Sequence, residues 1–288
     1  MGFSMALAYA NLFMFYLEGN KILNKSKWEK NLIKWKRYIN DIFIIWRGQT
    51  VLISCTEVPG SLVQIDAGNG QVFGVNSDGK VYTLYGCSWT KLPSALTHVS
   101  VGSAGVWGVN EGFYVYKLVG ADWVQTQGRL KQVDAGGAQF ISGANMNDDI
   151  FCLGNSATVS VKDGSPLPWV NIEGKLKYYS CGPLGCWGVN SADNIYYRFG
   201  STPSSCQGSS WQQVEGKLSM IEVGSDGSVY GVNSVGDMYR RNGITASNPV
   251  GSSWSQVIFG GRKFKHVSED LGKLWVITSD EAIFQCQL

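Results

Sequence analysis

Five copies of one tripeptide dominate this chain. Gly74-Val75-Asn76, Gly108-Val109-Asn110, Gly143-Ala144-Asn145, Gly188-Val189-Asn190 and Gly231-Val232-Asn233 are followed by a degenerate sixth, Trp275-Val276-Ile277-Thr278. The intervals are 34, 35, 45, 43 and 44 residues. A period of this size marks stacked or radial units, none of which buries its apolar face alone. A second phrase precedes the first within each unit. Trp123 leads to Gly128 and Leu130, Trp169 to Gly174 and Leu176, and Trp211 to Gly216 and Leu218. Trp89 and Trp254 open looser copies, and Cys55 stands where a sixth tryptophan belongs.

Each unit reads as short strands. Gln71–Val75 follows a Gly68-Asn69-Gly70 turn, and Val81–Leu84 follows Ser77-Asp78-Gly79. Such turns favour the positive φ angles of hairpins. Glycine at 36 residues, tryptophan at 11 and only 16% charged residues agree with an all-β chain. Four strands every 34–45 residues predict a six-bladed β-propeller over 51–288. A solenoid is disfavoured, because the terminal units carry matching cysteines instead of polar caps.

The seven cysteines include no Cys-x-x-Cys pair, and the only histidines are His98 and His266. Disulfides in an oxidising compartment therefore fit better than a zinc site. Cys55 and Cys286 are expected to close the ring. Cys181 and Cys186 are expected to pair across the Gly182–Gly185 hairpin, as Val101 and Val106 flank the same turn in another unit. Cys152 and Cys206 are then left to join neighbouring blades, with Cys87 free.

Residues 1–50 do not share the repeat. Ala8-Tyr-Ala-Asn-Leu-Phe-Met14 and Trp35-Lys-Arg-Tyr38-Ile-Asn40-Asp41-Ile-Phe-Ile-Ile-Trp46 resemble the palm of retroelement reverse transcriptases. Asn40 stands at the first aspartate of that family's Tyr-x-Asp-Asp motif, so no magnesium-dependent polymerase is expected. The segment is read as an extraneous, partly helical fragment or leader. Its apolar stretch, Met5–Leu17, is too short to span a membrane. Thr50–Ser54 is read as the remnant of a secretion signal. The segment carries a charge of +5 and the remainder −3, which argues against nucleic-acid binding by the repeats.

The repeated phrases, with Gly-Val-Asn and Ile195-Tyr-Tyr-Arg198, are similar to the tectonin repeat. Tyr178–Asn190 and Gly243–Pro249 resemble the fish-egg lectins most. The resemblance implies a secreted six-bladed propeller of egg or serum that binds N-acetylglucosamine and bacterial surface glycans, lipopolysaccharide among them. A pyranose has an apolar face for aromatic rings and hydroxyls for amides and charged forks. The candidate sugar-binding residues are therefore Asn76, Tyr82, Asn110, Tyr116, Asn190, Tyr196, Arg198, Asn233, Tyr239 and Arg240, at several weak sites that gain by avidity.

A structural role competes for each group. The asparagines also suit turns, the five tryptophans suit interblade packing, and Trp107 and Trp187 suit the core. Asp148-Asp149 and Ser77-Asp78 suit solvated turns better than calcium. No other cofactor is expected, and homo-oligomerisation is left open. An enzyme is set aside, because His98 and His266 occupy equivalent repeat positions and Gly102–Gly105 is no nucleophile elbow. A propeller that binds a protein instead of a sugar is the alternative.

Overall fold

A computed structural model of the chain describes residues 49–159, 161, 164 and 166–287. The reverse-transcriptase-like segment up to residue 48 lies outside the described residues.

Six antiparallel sheets follow one another along the chain. Blade 1 consists of Gln64–Gly68, Gln71–Val75, Val81–Tyr85 and Ser88–Lys91, ordered from the axis outwards. Blades 2 to 5 repeat the plan over 98–129, 132–175, 178–217 and 220–258. Blade 6 takes Phe264–Asp270, Lys273–Thr278 and Ile283–Gln287 from the end of the chain and its outer strand, Ser54–Val58, from the start. The chain thus forms the six-bladed propeller that the repeat predicts. Gln49–Leu52 adds in parallel to the outer strand of blade 5. The segment read as a signal remnant therefore contributes a strand to the described fold.

Blades pack face to face through one repeated device. The fourth-strand glycines Gly128, Gly174 and Gly216 have φ of 124, 108 and 106°. A Cβ at Gly128 would lie 2.7 Å from Nε1 of Trp169, and one at Gly216 would lie 3.4 Å from Nε1 of Trp254. The missing side chain admits the next blade's indole, and the positive φ suits glycine. The indole N–H then donates to the strand it covers. Trp169 Nε1 donates to Gln127 O at 2.7 Å, Trp211 Nε1 to Glu173 O at 2.8 Å and Trp254 Nε1 to Glu215 O at 2.9 Å. Burial of each ring contributes roughly 2–3 kcal/mol. Trp107 and Trp187 are core residues, 0% and 2% exposed.

The first strands surround the axis and are joined by side chains rather than by ladders. Asp66 Oδ2 accepts from Val101 N at 2.7 Å, Ser100 Oγ from Ala135 N at 2.8 Å and Asp134 Oδ1 from Cys181 N at 2.9 Å. Ser180 Oγ accepts from Val223 N at 3.0 Å, and Ser268 Oγ accepts from Ala67 N at 2.9 Å. At five of the six junctions a first-strand side chain thus caps the edge of the next blade. In the adjacent layer Gln64 and Gln132 bond the next blade's backbone in both directions. His98, Tyr178 and His266, from blades 2, 4 and 6, converge there on one phenol. Its oxygen lies 3.3 Å from His98 Nε2 and 2.9 Å from His266 Nε2. The repeat equivalence of the two histidines is therefore structural.

Three disulfides join Cys55 to Cys286, Cys152 to Cys206 and Cys181 to Cys186, and Cys87 is exposed and free. These are the cysteines that the sequence pairs. Cys55 and Cys286 are directly opposite in the blade 6 register. Leu84 faces Trp89, Leu118 faces Trp123, Arg198 faces Trp211 and Arg241 faces Trp254 in the same register of other blades. The closing disulfide thus replaces a packed side-chain pair at the one blade whose strands come from both ends of the chain. Replacing both cysteines by serine (C55S/C286S) should lower unfolding free energy by about 4–5 kcal/mol on the loop-entropy account. Denaturant titration checks this, and a loss below about 1 kcal/mol would contradict a closing role.

Burial alone pushes His98 down to about 4, and burial together with the His98 charge pushes His266 to about 3. Burial lifts Asp66 to about 6 and Asp134 to about 8, and lifts Glu222 well above the carboxylate range. The two sets act oppositely on stability. The unfolded histidines take protons near 6.5 that the folded ones refuse, so their contribution is present above 6.5 and lost as pH falls towards 4. The carboxyls contribute below about 4, and that contribution is lost as pH rises through 6 to 8. The histidine part is best isolated by difference. His98→Gln with His266→Gln installs the residue that blades 1 and 3 already carry there. Relative to wild type this variant should gain roughly 2 kcal/mol per histidine between pH 7.5 and 4.5. Parallel pH profiles for the two proteins would refute the assignment.

Candidate functional site

The sequence-predicted residues fall into three groups. The asparagines are turn residues. Asn76, Asn110, Asn190 and Asn233 each accept from the backbone N–H four residues on, at 2.8, 2.9, 2.9 and 2.8 Å. Asn76, Asn190 and Asn233 also accept from the N–H two residues on. The amide oxygen of each is thus engaged in an Asx-type turn. Asn110 Nδ2 also donates to Tyr116 Oη at 3.2 Å.

The tyrosines behave differently. Tyr82, Tyr116, Tyr196 and Tyr239 are half-buried in third strands and pack against the interblade clusters. The residue directly opposite on the fourth strand is Lys91, Gln125, Gln213 and Gln256 respectively. Each of these tyrosines is a partly exposed ring paired across the strands with a polar residue.

The arginines need the largest correction. Arg198 is not a surface fork. Its side chain is 2% exposed, against 69% for the partner carboxylate Glu173 in blade 3. Nη1 donates to Glu173 Oε1 at 2.6 Å and Nη2 to Oε2 at 3.2 Å. Nε donates to Gln207 O at 2.8 Å, and the guanidinium lies 4.9 Å from the Trp211 ring centroid. The repeat equivalent of Arg198 is Arg241, one residue beyond the predicted Arg240. Arg241 pairs with Glu215 of blade 4, donates from Nε to Val250 O at 2.8 Å and lies 5.2 Å from the Trp254 centroid. Its side chain is 3% exposed and that of Glu215 is 62% exposed. Arg240 points to the other face of the strand and lies over Tyr230.

The junctions between blades 3 and 4 and between blades 4 and 5 are therefore two copies of one arrangement. Each has a tyrosine, a glutamine, a tryptophan and an exposed glutamate fixed from beneath by a buried arginine. Each is overhung by a similar loop, with isolated bridges Thr202↔Ser205 and Thr245↔Asn248 and matching glycines at φ 72 and 70°. In blades 1, 2 and 3 the arginine position holds Leu84, Leu118 and Leu153. Glu173 and Glu215 were hidden inside the Trp-x-x-(Val/Ile)-Glu-Gly phrase. Aligning the units against one another finds them, since glutamate precedes the glycine in the two units whose successor carries arginine.

The Arg198 bond holds Glu173 below the usual carboxylate range. Burial pulls Glu215 upwards, and the Arg241 bond outweighs it and holds Glu215 low as well. Both are anions at neutral pH. The calcium candidates are engaged elsewhere. Asp148 pairs with Lys131, Asp149 with Lys175 at 2.5 Å and Asp78 with Lys80 at 3.0 Å. Among the described residues no three His, Cys, Asp or Glu side chains are grouped to hold a metal, and no helix is long and apolar enough to cross a membrane.

These features define a closed, disulfide-linked six-bladed propeller in which two adjacent junctions each carry a buried arginine and an exposed glutamate. The tectonin domain family matches residues 61–279, and the chain belongs to that family. It is 49% identical over 237 residues to the fish-egg lectin of Cyprinus carpio, a match that covers 82% of this chain and 99% of that protein. Solved propellers of low identity share the fold alone. Virginiamycin B lyase from Staphylococcus aureus matches with a TM-score of 0.52 at 12% identity, covering 76% of this chain and 78% of its own. The Myceliophteria thermophila Cps50 (Swd1) propeller domain matches with a TM-score of 0.52 at 7% identity, covering 82% and 99%.

The ion pairs make an asymmetric prediction. Glu215→Ala strands a buried guanidinium and should cost about 3 kcal/mol, whereas Arg241→Leu installs the residue of blades 1 to 3 and should cost about 1 kcal/mol or less. Chemical denaturation of the two variants compares them, and the reverse order would contradict the buried-cation account.

Proposed function

We propose that the protein is a secreted lectin that binds N-acetylglucosamine-type sugars of microbial surface glycans. Its two working sites are the grooves between blades 3 and 4 and between blades 4 and 5. The observation that carries this reading is the duplicated set of half-open tyrosine, glutamine, tryptophan and arginine-anchored glutamate. The aromatic rings suit the apolar face of a pyranose. The glutamate accepts from hydroxyls or from the acetamido N–H, and the glutamine both donates and accepts. The anchoring arginine reduces the ordering cost of the carboxylate on binding. Two sites on one rigid body gain by avidity on a polyvalent surface. The relative's description as a fish-egg lectin and the three disulfides support a secreted sugar binder.

Calorimetry with chitobiose tests the reading. Two equivalents should bind per chain. Tyr196→Ala and Tyr239→Ala should each remove one equivalent, and the double variant should lose binding at least tenfold while melting close to wild type. Wild-type protein that gives no heat with any amino sugar would overturn the sugar reading in favour of a protein-binding propeller. One substitution abolishing both equivalents would overturn the two-site arrangement.

A further inference from the structure

We propose that Glu173 and Glu215 make the two grooves selective for uncharged glycans and turn away sugars that carry a carboxylate. This inference rests on the sugar-binding reading above and goes beyond it in naming what the sites exclude.

The argument begins with the burial asymmetry of each ion pair. The Arg198 and Arg241 side chains are 2% and 3% exposed, and their Glu173 and Glu215 partners are 69% and 62% exposed. Each guanidinium is engaged on several sides. Nε bonds a loop carbonyl, both terminal nitrogens bond the carboxylate and the flat face lies over a tryptophan. A ligand entering the groove therefore meets the negative end of each pair. The nearest lysines along the same strands do not compensate. Lys175 Nζ is drawn to Asp149 at 2.5 Å and to Asn147 O at 3.1 Å. Lys217 Nζ is drawn to Ala192 O at 2.8 Å and to Asn194 Oδ1 at 2.7 Å.

Neutral hydroxyls and acetamido groups gain from a fixed acceptor at this place. A ligand carboxylate within about 4–6 Å of it meets a like charge and loses about five- to tenfold in affinity at low salt. Screening should narrow that loss as ionic strength rises. The fold also contains an uncharged version of the same junction. Blade 3 carries Leu153 at the arginine position, and blade 2 carries Gln127 at the glutamate position. Selectivity against acids thus belongs to the Arg–Glu pair and not to the groove as such.

The test compares N-acetylmuramic acid with its methyl ester, which share one ring and one substituent and differ in a single charge. Full-length wild-type protein should bind the ester at least fivefold tighter than the acid at low salt, with a smaller ratio at high salt. Glu173→Gln with Glu215→Gln leaves both guanidiniums without a counter-charge and should invert the ratio in favour of the acid. Adding Arg198→Leu and Arg241→Leu copies the Leu153 and Gln127 junction at both grooves and should bring the ratio near one. Wild-type binding of both ligands with equal affinity overturns this inference and leaves the sugar reading intact. A ratio that stays in favour of the ester after both glutamates are replaced also overturns it. Loss of all neutral-sugar binding by wild type overturns the sugar reading, and this inference falls with it.

Discussion

The structure depends on how the innermost strand of each blade satisfies its free edge. That strand pairs with its own blade on one side only, so its other row of backbone N–H groups needs partners. Among the described residues no ladder joins the first strands of neighbouring blades. A polar side chain of the preceding blade takes that place: Asp66 for Val101, Ser100 for Ala135, Asp134 for Cys181, Ser180 for Val223, and Ser268 for Ala67 across the closure. With Glu222 at the blade 5 position, acids and serines alternate around the axis. The serine hydroxyls also donate to the acids, as Ser100 and Ser268 do to Asp66 and Ser180 does to Asp134. Alternation matters because adjacent buried carboxylates with no donor between them would each lack a partner.

The same packing that closes the ring builds the candidate sites. In four junctions of the repeat a third-strand side chain lies opposite a fourth-strand tryptophan, and the pair covers the preceding blade. Where the third-strand residue is leucine no buried charge needs a partner. Where it is arginine, burying the cation requires a carboxylate from the preceding blade and a carbonyl from the loop above, because an unpaired charge is costly there. One substitution in the repeat thus recruits a glutamate, fixes a loop and gives the groove a charged wall. The position of that wall is inherited from interblade packing, so the groove is as rigid as the propeller itself.

The fold and the cysteine framework were legible because they are written in recurrence. The tripeptide fixes the period, the turn glycines fix the strands, and Cys181, Cys186 and Cys55 fall at positions that other units occupy with valine or tryptophan. The site was less legible, for a geometric reason. Strand side chains alternate between faces, so a shift of one residue moves a group to the opposite groove. Arg240 is nearer to Tyr239 in sequence, but Arg241 shares its face, as Arg198 shares that of Tyr196. Exposure was also misjudged, since an arginine in a weakly charged repeat reads as surface until its partner is identified. The asparagines followed the turn chemistry that composes the repeat, and Glu173 and Glu215 were absorbed into a phrase read only for its glycine and tryptophan.

The six junctions are unequal in a way that separates stability from chemistry. The leucine junctions and the cysteine closure lack the buried arginine and exposed glutamate that mark the other two. The two arginine junctions are adjacent, because blade 4 contributes its arginine to one and its glutamate to the other. Its third strand carries Tyr196 and Arg198 on one face, and its fourth strand presents Glu215 to the next blade. Blade 4 is also tied to blade 3 by the Cys152–Cys206 bond and carries the Cys181–Cys186 bond across its inner hairpin. Covalent reinforcement therefore converges on the blade that two grooves share. A buried ion pair is weak support for a fold by itself. Disulfides at this blade and none inside the leucine junctions fit a design in which the polar junctions serve recognition and need the added restraint.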